Sequence, residues 1–342
     1  MPGVKPTPGK TELPQLWSAD LGDYVVRVAP LRDGAVAALT GGGKLVLLDP
    51  EGRPRWQAEG HGGGALALAL CPSAPRIAVG GHDGKVHLYD LEGGQQVTTL
   101  EAGKGWVEQL AWSPDGGRIA ASAGRVARVW SSQGQALLET DAHPSTITGL
   151  QWGARGVRLA TCCYGGVRIW PLKAGIQAQH LAWKGSLISL AWSPDEKVVA
   201  CGSQDGSVHF WRLPSGRDSE MSGYRFKPRA LAWDSASSLL ATSGDADICV
   251  WDFGGKGPEG TAPLQLEGHQ GLCTELAFSP ARALLASGGQ DSGVLLWEPR
   301  KGLRPLRFAF LEDEVTCLRW SARGDALLGA DARGTVRCWK TA

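Results

Sequence analysis

The chain has 342 residues, long enough for two or three ordinary domains or for one large all-β unit, so length alone does not choose. Its 35 Lys and Arg stand against 34 Asp and Glu, and a formal charge of +1 leaves no electrostatic footprint for a nucleic acid or an anionic membrane. The eight cysteines lack a disulfide or zinc framework spacing and read as reduced thiols acting as small apolar residues.

From the start, Met1 to Lys10 lacks the apolar core of a secretory signal, and residues 1–12 are set apart as a flexible tail. No later stretch approaches about 18 uninterrupted apolar residues, so a cytoplasmic chain is expected, with residues 13–342 as one domain. The segment Leu13 to Ala19, LPQLWSA, has strand character and precedes the first full repeat unit. Then a short β-rich phrase recurs eight times: KLVLLD, KVHLYD, VARVWS, GVRIWP, SVHFWR, DICVWD, GVLLWE and TVRCWK. Its marker residues are Leu48, Tyr89, Trp130, Trp170, Trp211, Trp251, Trp297 and Trp339, spaced 40 to 46 positions apart. A second phrase lies upstream of the marker, as in LAWSPDG (Leu110 to Gly116) and LAWSPDE (Leu190 to Glu196): an apolar strand entering a Ser-Pro-Asp turn. A third lies between them, as in VVACGSQDGS (Val198 to Ser207). Each unit therefore offers strands a, b, c and d.

Several spaced features repeating together resemble the WD40-repeat family over nearly the whole chain. The resemblance implies an all-β propeller of four-stranded antiparallel blades. Eight third strands predict eight blades, against the seven commoner in the family. The last unit lacks a d strand, so Leu13 to Ala19 is expected to pair with it and close the ring, leaving no unpaired edges.

The resemblance also implies a hydrogen-bonded set of a d–a loop His, a strand-b hydroxyl, a b–c turn Asp and the strand-c Trp. One unit, the seventh, has all four: His269, Ser287, Asp291 and Trp297. Blade two keeps His61 and Asp83, with Val79 in the hydroxyl slot and Tyr89 for Trp. Blade four keeps His143 and Trp170, blade five Asp205 and Trp211, with Trp183 in the His slot, and blade six Asp245 and Trp251, with Tyr224 in the His slot. Blades one, three and eight read as having lost nearly all of it. A catalytic-triad reading of Ser287, His269 and Asp291 is set aside, because the family places this hydroxyl inside the blade; no catalytic residue is expected.

Partner-contact positions carried over from the family fall three residues after the His slot and just before the turn Asp. They include Tyr24, Trp106, Thr146, Lys227 and Glu314, then His82, Gln204 and Gln290; Tyr24 and Trp106 are the leading aromatic anchors. His82, Asp83 and His87, and the pair Cys162 and Cys163, contain ligand types without zinc-module spacing, so no metal and no cofactor are expected. Gly41 to Lys44 lacks P-loop spacing and reads as a b–c hairpin. The function expected is a non-catalytic, monomeric scaffold presenting its face to a protein or peptide. An alternative, a propeller enzyme or small-ligand binder using the axial channel, would need convergent polar side chains on the a strands, which read as mainly apolar. A second alternative comes from the stretch Tyr164 to His269, which resembles a bacterial WD-repeat group encoded beside CobW-type metallochaperone GTPases and so implies an accessory role in metal homeostasis.

Overall fold

A computed structural model describes residues 11–173, 175–255 and 257–341. Every regular element among them is a β-strand, and the sheets form eight blades in a ring. Blade one consists of Val25–Pro30, Val36–Thr40, Lys44–Leu48 and Pro54–Glu59, and blade two of Ala65–Leu70, Arg76–Gly81, Lys85–Asp90 and Gln96–Glu101. Blades five, six and seven begin at Ala191–Trp192, Leu231–Trp233 and Cys273–Phe278. In blade four, strands b and c run on as Arg158–Pro171, with Gly165 and Gly166 at φ of 92° and 122° making the reversal. No side chain with a Cβ adopts that backbone cheaply.

The expected clasp is present. Gln15–Asp20 pairs antiparallel with the c strand Thr335–Lys340, so blade eight takes its d strand from the other end of the chain. Of the segment set apart as a tail, residues 1–10 lie outside the described residues. Thr11–Glu12 pairs in parallel with Arg307–Phe310 on the edge of blade seven.

Burial follows the blade from axis to rim. Strands b and c are covered on both faces by neighbouring blades and are correspondingly apolar, as in the wholly buried Val36–Thr40 and Gly293–Trp297. Strand d faces solvent, as in QVTTLE, where only Leu100 is buried. Burying both faces of a strand calls for near-continuous apolar sequence, whereas a half-solvated strand alternates. Eight hydrophobic clusters result, one at each blade interface, including the interface of blade eight with blade one. The ring is closed by packing as well as by the clasp.

The Trp of the LAWSP phrase adds a polar pin between blades. Trp152 Nε1 donates to Ala111 O at 3.0 Å, Trp233 to Ala191 O at 3.2 Å and Trp320 to Ala277 O at 2.8 Å, each reaching back to the a strand of the preceding blade. The indole is buried for its area and still satisfies its N–H. Trp112 and Trp192 occupy the same position with Nε1 unpartnered.

The turn that follows is self-contained. Ser113 Oγ donates to Asp115 and accepts the Arg118 N–H, and Ser193 repeats the pattern with Asp195 and Val198. The glycines of Gly41 to Lys44 have a steric reason: a Cβ on Gly43, at φ 99°, would come within 2.1 Å of the His61 carbonyl oxygen. Only glycine fits that approach of the b–c turn to the next d–a loop.

Candidate interaction face

The d–a and b–c loops share one face of the ring, and the polar networks lie just beneath it. In blade seven the four residues come together. Trp297 Nε1 donates to Ser287 Oγ at 2.8 Å, and His269 Nε2 lies 2.8 Å from the same hydroxyl. His269 Nδ1 stands 3.0 Å from Asp291 Oδ1. Since the hydroxyl accepts from the indole, its own proton goes to Nε2, and Nδ1–H is left to donate to the carboxylate. Burial works against the charge on Asp291, but His269 and the N–H groups of Gln270 and Gly293 outweigh it and hold its pKa below the usual carboxylate value. Ser287 is fully buried.

The other blades solve the same problem with other residues. In blade four the hydroxyl is Thr161: it accepts from Trp170 Nε1 at 2.9 Å and meets His143 Nε2 at 2.8 Å, while His143 Nδ1 donates to the carbonyl of Arg125 at 3.0 Å. In blade six the phenol of Tyr224 accepts from Trp251 Nε1 at 2.8 Å and meets Thr242 Oγ1 at 2.7 Å. In blade five Trp183 stacks on His209 at 3.8 Å between ring centroids. His209 Nε2 comes within 3.2 Å of Asp218 without making a hydrogen bond. Blade eight lacks the set, with Arg333 where blade seven has Asp291 and Gly329 where it has Ser287; Asp331, the last residue of its strand b, is fully buried and accepts the N–H groups of Glu312, Arg333 and Thr335.

Blade two brings His61, Asp83 and His87 into one cluster. His61 Nδ1 is 3.2 Å from Asp83 Oδ1, His87 Nε2 is 3.8 Å from Asp83 Oδ2, and the two imidazoles stack at 4.1 Å. The sequence grouping of His82 with Asp83 and His87 therefore had one wrong member. His82 turns away, its Nδ1 donating to Gly63 O at 2.7 Å.

On the surface of the same face, blades five, six and seven enclose a cleft of about 520 Å³. Its lining includes Gln204, Lys227 and Gln290, together with Arg225, Phe226 and Arg229. Phe226 is 45% exposed, and the Arg225 guanidinium lies 5.6 Å from its ring centroid. Among the described residues, no carboxylate forms an ion pair with Arg225, Lys227 or Arg229, although Asp205 shares the lining.

Family models agree with this architecture. The model described as WD domain, G-beta repeat matches residues 177–212, 219–252, 260–298 and 308–340, and that of the anaphase-promoting complex subunit 4 WD40 domain matches 68–155. The chain is a WD40-repeat β-propeller. It is 28% identical over 239 residues to rat apoptotic protease-activating factor 1, matching 67% of this chain and 19% of that protein. It is 24% identical to Arabidopsis thaliana THO complex subunit 3, over 66% of this chain and 73% of the relative. The match with the fission yeast WD repeat-containing protein slp1 spans 48% of that protein. Among solved structures, the computationally designed Ika8 protein superposes with a TM-score of 0.82 at 23% identity, covering 96% of this chain and 99% of the other. Chaetomium thermophilum Sqt1 does so with 0.83 at 19% identity, covering 96% and 98%. These two likenesses speak for the fold alone.

The remaining contact positions of the propeller fall in a second sector. Tyr24 and Trp106 are 45% and 56% exposed and flank blade two, with Trp106 tilted against His82 at 4.6 Å. Burial raises the pKa of the Tyr24 phenol, and Glu314 nearby raises it further. Thr146 is exposed and Glu314 half-buried. In a ring of eight, blade two lies across from blade six, so the two sectors face each other over the axis. Arg225, Phe226 and Arg229 went unremarked in sequence, although the run RFKPR itself shows three cations around an aromatic in a d–a loop.

The axial channel is less apolar than expected. Arg27, Glu108 and Arg319 line a cavity of about 370 Å³ beside Leu66, Leu68 and Leu110. Arg319 pairs with Glu275 at 3.3 Å, and Arg27 donates to the Val26 carbonyl. The cysteines are free thiols, buried except for half-buried Cys249, and burial pushes the Cys338 thiol up to about 12. Among the described residues no helix is long and apolar enough to cross a membrane.

Proposed function

We propose that this propeller is a non-catalytic interaction scaffold whose cleft between blades five, six and seven receives an acidic peptide segment of a partner protein. One observation carries the reading: Arg225, Lys227 and Arg229 surround exposed Phe226 in a cleft that also offers the amides of Gln204 and Gln290. Cations without carboxylate partners steer an anionic ligand, and an exposed aromatic among polar groups supplies the apolar anchor. The near balance of total charge favours a protein partner over a nucleic acid. The matched relatives are WD-repeat proteins, which supports an interaction role of the same general kind. The enzyme and metal-homeostasis alternatives gain no support from these matches.

Fluorescence anisotropy with a labelled peptide rich in Asp and Glu around one Leu, and with its Asn and Gln counterpart, tests the reading. The acidic peptide is expected to bind, to weaken with added salt and to lose about tenfold or more in Lys227→Glu with Arg229→Glu. Trp106→Ala and Tyr24→Ala are expected to leave it unchanged. Equal binding of both peptides removes the charge argument, and loss confined to Trp106→Ala moves the docking surface to the opposite sector.

A further inference from the structure

We propose that blade two carries a divalent transition-metal site of the zinc type, formed by His61 Nδ1, His87 Nε2 and a carboxylate oxygen of Asp83. His61 Nε2 lies 3.0 Å from the carbonyl oxygen of Val79, and His87 Nδ1 lies 3.1 Å from that of Gly60. A carbonyl oxygen only accepts, so each imidazole spends its N–H there. The nitrogens left over, His61 Nδ1 and His87 Nε2, carry lone pairs, and both face the Asp83 carboxylate at 3.2 and 3.8 Å. Two lone pairs and an anion around one point leave no donor between them, and a cation completes the set.

Ligand type and surroundings match such an ion. Two imidazoles and a carboxylate are a common three-ligand set for zinc, with the fourth position open to water or another ligand. Metal-bound histidines ordinarily donate their second N–H to a carbonyl or carboxylate, which is the arrangement around Val79 and Gly60. The three ligand atoms all lie within 4.8 Å of one another. A tetrahedral ion with bonds of about 2 Å separates its ligands by about 3.3 Å, so the His61 and Asp83 pair already has that spacing. The stacked His87 ring tilts toward the ion to close the remaining gap. His61 is buried while Asp83 is 40% exposed, so the site opens on the propeller face beside the exposed Gly62 and Gly63. A Cβ at Gly81 would strike the His61 ring at 2.6 Å, so glycine makes room for this imidazole.

Blade seven is the internal control, because its His and Asp are satisfied by Ser287 without an ion. The test loads the full chain with zinc sulfate, removes excess by desalting and counts retained zinc, then repeats the loading with cobalt(II) to read the tetrahedral visible band. One zinc per chain is expected, weakened tenfold or more in Asp83→Asn and in His87→Gln and unchanged in Asp291→Asn. The nitrogen NMR signals of the wild-type imidazoles give a readout that needs no variant. Zinc is expected to shift His61 Nδ1 and His87 Nε2 selectively. The proposal is overturned if wild type retains no zinc, if the two blade-two variants retain it as tightly as wild type, or if His61 is doubly protonated and indifferent to zinc. In the last case a proton is the cation.

Discussion

Blades two and seven begin with the same pair, a d–a loop histidine against a b–c turn aspartate, at 3.2 Å for His61 and Asp83 and 3.0 Å for His269 and Asp291. They end with different chemistry because one residue on strand b differs. Ser287 is a hydroxyl that accepts and donates, so proton donation runs in one direction from Trp297 through Ser287 and His269 to Asp291. Val79 offers only its backbone carbonyl, which reverses the histidine: Nε2 must donate and Nδ1 is left facing the carboxylate. A single hydroxyl thus decides whether the pair closes on itself or waits for a cation. His87 strengthens the contrast, since blade seven has Leu295 at the equivalent place two residues before the marker.

The largest effect is expected from making blade seven resemble blade two at strand b. Ser287→Val strips a partner from the Trp297 indole N–H and from His269 Nε2, both in a buried setting. Each orphaned buried group costs about 1–3 kcal/mol, so urea unfolding is expected to show a loss of about 3 kcal/mol. A loss below about 1 kcal/mol breaks the comparison, because the hydroxyl would then not organise the network.

Asp291→Asn comes next, and pH gives it a sign. The carboxylate accepts from His269 Nδ1, from Gln270 N at 2.7 Å and from Gly293 N at 3.1 Å, so an amide places its NH₂ against one of these donors. A loss of about 2 kcal/mol is expected at neutral pH. Because the folded pKa of Asp291 lies below its ordinary value of 3.8, its stabilisation is complete above that value and fades as pH falls through the lowered one. Wild type and variant are therefore expected to converge in stability on acidification below pH 3.8. A gap independent of pH would assign the loss to packing.

How much of this was legible in sequence depended on whether a role belonged to one residue or to a convergence. The c-strand markers recur because every blade needs the same buried strand, so blade number could be read directly, and so could the clasp, expected at Leu13 to Ala19 and found at Gln15–Asp20. Thr161 was missed because it lies nine residues before its marker Trp170, where Ser287 lies ten before Trp297, and Asp331 because its partners are backbone N–H groups that carry no sequence label. His61 and His87 are 26 positions apart and meet only because a position two before the marker shares the marker's side of strand c and faces the preceding d–a loop. Blade five repeats that geometry with Trp183 over His209, so a ring at that position was the available signal. The cleft was half legible: family positions led to Lys227, Gln204 and Gln290, while Arg225, Phe226 and Arg229 needed the shape of three adjoining blades.

The smallest change in stability, and the sharpest test of the comparison, is expected from Val79→Ser. The new hydroxyl lies where Ser287 lies in blade seven and can donate to His61 Nε2, which frees Nδ1–H to donate to Asp83. Tyr89 does not compete for that hydroxyl, because its phenol already donates to the carbonyls of Glu59 and Gly60 at 2.9 and 2.8 Å. The gained hydrogen bond, about 1 kcal/mol, offsets most of the loss of two buried methyl groups, about 1.6 kcal/mol, so melting is expected to move little. Zinc retention is expected to fall, because the metal must then displace a proton that Asp83 holds in place. If Val79→Ser holds zinc as tightly as wild type, the strand-b residue does not set the direction of donation, and the contrast between the two blades must come from His87 alone.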